Sequence, residues 1–256
     1  MMFILIISLA VVRLVLNTLG IVDYGIFNVV GGIVVMFSFL SNTMASTSQR
    51  FFAFEIGSNN LLQLNRIFNM TVIIYIIISI VILILAETIG LWFLNNMMEI
   101  PSQRIEAANW IYQFSVFSFI ITILTIPFNA LIIARENMKV YAYIGVIEAI
   151  LKLTIVYLLI FMPYDKLKLY AVLMFVNTCI ISLMYAVYCK KKYNESQIQL
   201  YWDNNLFKTL FSFSAWNLFG GIAAVLNNQG VNILLNIFFG PVVNAARGIA
   251  FKLVPQ

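Results

Sequence analysis

Charged side chains inside long apolar segments are the residues of this chain that could do chemistry. Arg13, Glu148 and Lys152 lie within such segments, and Arg247 lies on a partial eighth helix at the end of the chain. Ionisable groups are rare in hydrocarbon, and they usually mark an ion or substrate route. Neither arginine has a partner nearby in the sequence, so each either reaches an interface or holds an anion in a chamber. Glu148 and Lys152 are four residues apart, so they either neutralise each other or form a site for a coupling ion.

Uncharged polar residues recur at helical spacing in three of the segments. The fourth segment carries Ser115, Ser118, Thr122, Thr125 and Asn129. The seventh carries Asn217, Gly221, Asn228, Asn232 and Asn236, and the second carries Asn28, Gly31, Ser38, Asn42 and Ser46. Each set shares one helix face. Each stripe either packs closely against other helices or lines a water-accessible chamber; packing is favoured for the hydroxyls of the fourth segment and the chamber for the amides of the seventh. Pro127 predicts a kink or a freed carbonyl in the fourth segment.

Seven apolar segments must position these residues. They are Met1–Leu19, Tyr24–Ala45, Ile67–Leu94, Trp110–Ala134, Val140–Met162, Leu169–Cys189 and Leu210–Phe239. About 20 helical residues cross the hydrocarbon core of a bilayer. The chain is 62% hydrophobic and 10% charged, and its mean hydropathy is +0.97. The sequence therefore predicts an all-α, polytopic membrane helix bundle with about seven or eight transmembrane helices.

Basic residues are unevenly divided between the polar breaks. If the segments alternate in direction, the breaks at 46–66, 135–139 and 190–208 share one side. They hold Arg50, Arg66, Arg135, Lys139, Lys190, Lys191, Lys192 and Lys208. The opposite breaks, at 20–23, 95–109 and 163–168, hold Arg104, Lys166 and Lys168. The basic side is predicted to be cytoplasmic, so the net charge of +5 does not indicate a nucleic-acid partner. The run Lys190–Lys192 is a topology anchor or a patch for anionic lipid.

The residue types that most catalysis requires are missing. The chain has no histidine, and its two cysteines, Cys179 and Cys189, cannot pair with each other along one helix or form a zinc site. No phosphate-binding glycine loop, paired catalytic carboxylates or nucleophile with a base is evident. We expect no enzyme activity, no cofactor and no metal site.

The longest polar stretch divides the chain. We predict a six-helix lobe over 1–189, a cytoplasmic connector over 190–208, and the first one or two helices of a second lobe over 209–256. A short echo relates Gly20 to Gly240 at an offset of 220, and at each glycine we expect a helix to end in a tight turn. Such an echo is expected in transporters built from parallel repeats. Because the last segment stops inside a crossing, we expect the chain to be a fragment.

Several motifs resemble one family along the whole chain. The motifs are Arg13–Gly20, Asp23–Gly32, Ser48–Gly57, Pro127–Glu136, Phe211–Asn217 and Leu235–Ala250. They are similar to bacterial polysaccharide-export flippases of the multidrug/oligosaccharidyl-lipid/polysaccharide (MOP) superfamily, which shares the fold of the multidrug and toxin extrusion transporters. The last motif resembles the lipopolysaccharide-biosynthesis branch common in gut Bacteroidetes.

This resemblance implies an inner-membrane carrier with two six-helix lobes and alternating access. Its implied cargo is a polyprenyl-pyrophosphate-linked oligosaccharide, and its further partners are membrane lipids and polysaccharide polymerase machinery. Arg13 and Arg247 would attract the pyrophosphate. The amides that would meet sugar hydroxyls are Asn129, Asn217, Asn228, Asn232 and Asn236. The alternative is a cation-coupled multidrug antiporter of the same fold, for which Glu148 is the deep carboxylate. A purely structural membrane protein fits poorly with several polar faces.

Overall fold

The computed structural model describes residues 2–35, 38–98, 100–162, 165–199, 201–217 and 219–220, and every regular element among them is helical. The eight α-helices are α1 (Met2–Leu19), α2 (Ile21–Val35), α3 (Ser38–Gly57), α4 (Leu61–Leu85), α5 (Leu91–Asn96), α6 (Ile105–Ala134), α7 (Met138–Phe161) and α8 (Lys166–Lys192). Residues 204–217 form a further helical segment. The prediction of an all-α bundle is confirmed.

Four helical stretches in this part of the chain are long and apolar enough to cross a membrane. They are Leu61–Asn96, Ile105–Ala134, Met138–Phe161 and Lys166–Lys192. The first is continuous because a π-helical turn, Ala86–Gly90, joins α4 to α5. Several such stretches in one chain give a multi-pass membrane protein.

Helix α6 lies at the centre of the bundle and packs against α2, α3, α4, α7 and α8. Its side chains Ile123, Leu131 and Ile132 are fully buried. The Phe128 ring lies 5.4 Å from the Phe68 ring of α4, measured between centroids. Neighbouring helices therefore cover much of the surface of α6.

Turns between helices use backbone conformations that few residues adopt. Gly20 separates α1 from α2 with φ of +82°, as expected from the predicted helix end at this glycine. Asn59 and Glu136 take φ of +57° and +55° in the turns that follow α3 and α6. A left-handed residue ends a helix within one turn, so the connections are short.

The break predicted at 46–66 is mostly helical, because α3 continues to Gly57 and α4 begins at Leu61. The polar residues in this stretch do not end the helix. The hydroxyls of Thr47 and Ser48 donate to carbonyls one turn earlier, at 3.0 Å each. Polarity alone was therefore a poor guide to the end of α3.

Ion pairs connect the polar loops at the less basic end of the bundle. One guanidinium, that of Arg104, contacts Asp23 at 2.9 Å and Asp165 at 3.1 Å. The ammonium of Lys168 contacts Glu106 at 2.6 Å. Residues from all three polar breaks predicted for the less basic side thus meet at one end of the bundle. This is expected if successive segments cross the membrane in opposite directions.

The connector after α8 is bonded to the first bundle. Asn65 of α4 donates to the Glu195 carbonyl at 2.8 Å, and the Gln199 amide donates to the side-chain oxygen of Asn69 at 2.7 Å. The Glu195 side chain is buried and forms an ion pair with Arg135. This part of the connector is therefore a docked strap rather than a free linker.

The helical segment 204–217 begins at a capped residue and lies on α3. The Asp203 carboxylate accepts hydrogen bonds from the backbone N–H groups of Asn205 at 2.8 Å and Leu206 at 3.2 Å. Those bonds, Leu206 foremost, lower the pKa of Asp203 below its ordinary value. Further along, the Phe213 ring packs edge-on against Phe51 with centroids 5.5 Å apart. The segment is thus capped at its start and attached to the first bundle at its middle.

Candidate functional site

The polar stripe of α6 is the starting point of the site. The hydroxyls of Ser118, Thr122 and Thr125 each donate to a carbonyl one turn earlier, at 2.7, 2.9 and 2.7 Å. This back-bonding satisfies each hydroxyl hydrogen within the helix and leaves the oxygen lone pairs to face outward. Burial of the stripe in an apolar bundle therefore costs little free energy, and the stripe presents hydrogen-bond acceptors along its length.

A cavity of about 240 Å³ lies between α6, α7 and α8. Its polar lining residues are Thr122, Thr125, Asn129, Tyr141, Glu148, Asn177, Thr178, Ser182 and Tyr185. We call this the upper cavity. Polar groups from three helices converge on it, so it is a polar chamber within an apolar bundle.

Two amide oxygens in the upper cavity have no hydrogen-bond partner among the described residues. They are Oδ1 of Asn129 and Oδ1 of Asn177, and both atoms are buried. A buried, unsatisfied polar group costs about 1–3 kcal/mol. Both oxygens accept hydrogen bonds, so a donor in the cavity, such as a hydroxyl, an ammonium or water, would relieve that cost.

The charged pair predicted on the fifth segment borders this chamber. The Lys152 ammonium contacts the Glu148 carboxylate at 2.6 Å, and each side chain is 36% exposed. Glu148 lines the upper cavity. Because Lys152 already balances its charge, the carboxylate is not an isolated anion, and a bound cation would have to compete with the ammonium.

A second cavity, of about 520 Å³, lies between α2, α6 and α8. We call it the lower cavity. Its polar residues are Asn28, Ser115, Ser118, Thr122 and Thr178. Thr122 and Thr178 line both cavities. The two cavities therefore share one polar face that runs along α6 and α8.

The absence of a side chain at one glycine contributes to the volume of the lower cavity. Gly31 of α2 lines it, and a Cβ atom built at this position meets nothing within 4 Å. Asn28 lies three residues earlier on the same helix and lines the same space. Two residues of the polar stripe predicted on the second segment therefore share this cavity with the stripe of the fourth.

The predicted anion-binding residue Arg13 is exposed on α1. Val11, Leu14 and Val15 pack into the cluster that joins α1 to α7 and α8. Arg13 lies two residues before Val15, about 200° around the helix, so it points away from that cluster. Its partner in the prediction, Arg247, lies outside the described residues.

The predicted amide residues are in different places. Asn129 lines the upper cavity. Asn217 donates from Nδ2 to the hydroxyl of Thr47 at 3.0 Å, so its amide links two helices. Asn228, Asn232 and Asn236 lie outside the part of the chain that the structure describes.

Pro127 is buried within α6, and the helix continues through it. A proline lacks the N–H that would bond to the carbonyl four residues earlier, here that of Ile123. This loss falls beside Thr125 and Asn129, which both line the upper cavity. The missing hydrogen bond therefore falls within one helical turn of two residues that line the chamber.

The sequence reasoning missed the contribution of α8. Asn177, Thr178 and Ser182 line the upper cavity together with Tyr185. Ser182 and Thr125 are hydrogen-bonded to each other across α6 and α8. The spacing 177, 178, 182, 185 was a detectable helical stripe, although apolar residues on every side made it weak.

Comparisons with known proteins support the fold. No known protein family matches the chain, and no curated protein sequence matches it. Among solved structures, it is similar to a MOP superfamily transporter from Pyrococcus furiosus Vc1 (DSM3638), a protein whose binding pocket has reverse polarity, suggesting a different function. The TM-score is 0.65 at 14% identity over 95% of this chain. The chain shares the helical fold of that protein and spans 59% of its length.

Proposed function

We propose that this chain forms part of a transporter that moves a lipid-linked oligosaccharide across a bacterial inner membrane by alternating access. The supporting observation is the single polar face shared by the upper and lower cavities along α6 and α8. A hydroxyl-rich cargo needs many weak hydrogen-bonding partners on a path through an apolar bundle. A chain of threonine, serine and asparagine side chains supplies them without a strong binding point.

The charge of this face suits a neutral sugar. Its ionised residue, Glu148, is paired with Lys152 at 2.6 Å. The unpaired oxygens of Asn129 and Asn177 accept hydrogen bonds, and sugar hydroxyls donate them. Sliding along the face would exchange equivalent partners, which keeps the barrier to movement low.

The pyrophosphate of such a cargo would need a cation. Arg13 is the candidate in the described helices, because it is exposed on the face of α1 turned away from α7. A charge facing hydrocarbon is costly, so this position favours a water-filled space beside α1. Arg247, predicted to share this role, stays part of the proposal.

The test replaces the threonine that lines both cavities. Thr122→Val keeps the shape of the side chain and removes the hydroxyl. Thr154→Val on α7 is the matched control, since its hydroxyl also bonds back one turn, to Ile150 at 3.0 Å, but lines neither cavity. In a flippase-deficient strain complemented by this protein, we expect Thr122→Val with Asn129→Leu to lower surface polysaccharide at least tenfold. Equal polysaccharide in test and control strains would contradict the proposal.

A second candidate is a cation-coupled multidrug antiporter. Glu148 and two unpaired amide oxygens in one small cavity form a set of oxygen ligands that a cation could use. Under this hypothesis, Glu148→Gln abolishes drug resistance conferred by the protein and leaves surface polysaccharide unchanged. Loss of polysaccharide without any effect on drug resistance supports the oligosaccharide carrier instead.

A further inference from the structure

An apolar groove on the outer surface of the bundle runs between α7 and α8. Its volume is about 640 Å³. Its lining residues are Val140, Tyr143, Ile144, Ile147, Ile180, Leu183, Met184, Val187, Tyr188 and Lys191. They recur every three or four residues on each helix, so the groove follows one face of α7 and one face of α8.

The groove is open to the membrane over the part of the chain that the structure describes. Tyr143 is 70% exposed and Leu183 is 62% exposed. It is separate from the two polar cavities, with which it shares no lining residue.

The length of the groove matches one leaflet of a bilayer. From Ile180 to Lys191, α8 rises by roughly 16 Å at 1.5 Å per residue. Half of a hydrocarbon core of about 30 Å is about 15 Å. A single acyl chain of a lipid in that leaflet would therefore fill the groove from end to end.

Among the residues that line the groove, charge is found at one end only. Lys191 lines that end, Lys190 and Lys192 flank it on α8, and Lys139 lies at the start of α7. Of the acidic residues nearby, Glu195 is already paired with Arg135, which leaves Glu136 in the preceding turn. The surroundings of the groove's polar end are thus strongly basic.

Tyrosines sit beside those lysines in a fixed arrangement. Asn137 donates to the Tyr188 hydroxyl at 2.8 Å, and the Lys192 ammonium lies 5.9 Å from the centre of the Tyr188 ring. Tyrosine prefers the headgroup level of a membrane. The aliphatic part of the groove is therefore placed at acyl-chain depth, with its lysines at phosphate depth.

We propose that this groove is a binding site for an anionic phospholipid of the leaflet on the lysine side. One acyl chain lies between α7 and α8, and the phosphate lies against Lys191. Charge complementarity selects the anionic headgroup, and the groove selects a chain rather than a free phosphate. The site does not depend on what the two polar cavities transport.

Native mass spectrometry of the delipidated chain in detergent tests this assignment. Phosphatidylglycerol and phosphatidylcholine with identical acyl chains are titrated separately. We expect one phosphatidylglycerol to bind about fivefold more tightly, because a lysine near the surface contributes about 1 kcal/mol of attraction to an anionic lipid. Lys191→Gln should remove most of that preference. Lys166→Gln, at the opposite end of α8, is the charge-matched control and should keep it.

A second variant tests the groove itself. Leu183→Trp fills it and should reduce binding of both lipids at least tenfold, whereas Leu158→Trp, on the exposed surface of α7 outside the groove, should not. A phosphatidylglycerol with a photoreactive acyl chain should label residues 140–147 and 180–187. Thermal unfolding in detergent verifies that the variants are folded, and Lys191→Gln remains informative if Leu183→Trp is not.

Three outcomes would overturn the assignment. Equal affinity for the two lipids would remove the headgroup selection. Equal losses in Lys191→Gln and Lys166→Gln would show only a general charge effect. Binding of polyprenyl phosphate without phosphatidylglycerol would identify the groove as a track for a carried lipid tail.

Discussion

At the scale of single residues, two ion pairs of the same chemical type differ in how deeply they are buried. Arg135 and Glu195 form an ion pair in which the Glu195 side chain is 7% exposed. Lys168 and Glu106 form one in which the Glu106 side chain is 77% exposed. Burial makes a charge expensive to leave unpaired, whereas water screens an exposed charge. The first pair should therefore matter for stability and the second should not.

This contrast gives a matched pair of mutations. Glu195→Ala leaves the partly buried Arg135 without its partner and should lower the free energy of unfolding by about 1–3 kcal/mol. Glu106→Ala should change it by less than about 1 kcal/mol. Denaturant titration of both variants in the same detergent measures the difference. Equal effects would contradict a docked connector.

The helix cap at Asp203 predicts a pH dependence. Its folded-state pKa is lowered by the N–H groups of Leu206 and Asn205. The capping contribution is therefore fully present above the ordinary carboxyl pKa of about 4 and is lost as the pH falls through the lower folded-state value. Hydrogen exchange of the amides in 204–217 should rise on acidification relative to the rest of the bundle, after correction for the intrinsic exchange rate.

Two variants separate charge from capping at this position. Asp203→Asn retains an oxygen that can cap the helix but cannot titrate in this range. It should keep slow exchange and abolish the added pH dependence. Asp203→Ala should give fast exchange at every pH. A pH dependence that persists in Asp203→Asn would assign the effect to another group.

At the scale of elements, the π-helical turn at Ala86–Gly90 is a feature built by two helices. Tyr112 of α6 donates its hydroxyl hydrogen to the carbonyl of Ala86 at 2.8 Å. A Cβ atom at Gly90 would overlap that same hydroxyl. Gly90 is thus required by the approach of a buried tyrosine, and the tyrosine compensates for the irregular bonding of the turn.

A double-mutant cycle tests this interlock. Gly90→Ala should destabilise the protein by about 1–3 kcal/mol, because the Tyr112 ring is buried and cannot move aside easily. Tyr112→Phe should cost about 0.5–1.5 kcal/mol, because it removes one of two hydrogen bonds to the Ala86 carbonyl, which also accepts from the Leu91 backbone N–H. In the Tyr112→Phe background, Gly90→Ala should cost clearly less. Additive effects, measured by denaturant titration, would show that the two positions are independent.

At the scale of the whole molecule, the docked strap limits where the proposed second lobe could move relative to the first bundle. Residues 193–199 are bonded to α4 and α6 through Asn65, Asn69 and Arg135. If the protein works by alternating access, this part of the connector should move with the first bundle. The bending point must then lie further along the chain.

Distances between pairs of spin labels measure whether this part of the connector moves with the first bundle. Labels at Ser58 and Gln197, in a background without Cys179 and Cys189, should give one narrow distance distribution that cargo does not change. Ser58 with Lys139, both within the first bundle, gives the width expected for a rigid body. A distribution for Ser58 and Gln197 that broadens or shifts on addition of cargo would place the bending point within the strap instead.

Much of the architecture could be predicted from local patterns. The apolar runs predicted a helical membrane bundle, and Gly20 was correctly predicted as the end of the first helix. The assignment of breaks to two sides agrees with the contacts of Arg104 and Arg135. These features depend on hydropathy, backbone freedom and chain direction, which are properties of neighbouring residues.

Other features depended on which helices meet. The stripe of α6 was visible in the sequence, but its partners Asn177 and Ser182 on α8 were identified only when the two helices were placed together. Asn217 has the same residue type as Asn129, yet it bonds to Thr47 while Asn129 borders a cavity. In a membrane helix that is apolar on all sides, periodicity says little about which face a neighbour covers.

The amino-acid sequence by itself therefore determined that this chain is a helical membrane bundle with polar faces in its interior. Tertiary structure decided which of those faces enclose a cavity, which amides only join helices, and that the connector is held against the first bundle. The physical reason is that hydropathy acts on each segment separately, whereas a cavity or a long-range hydrogen bond exists only between segments that packing has brought together.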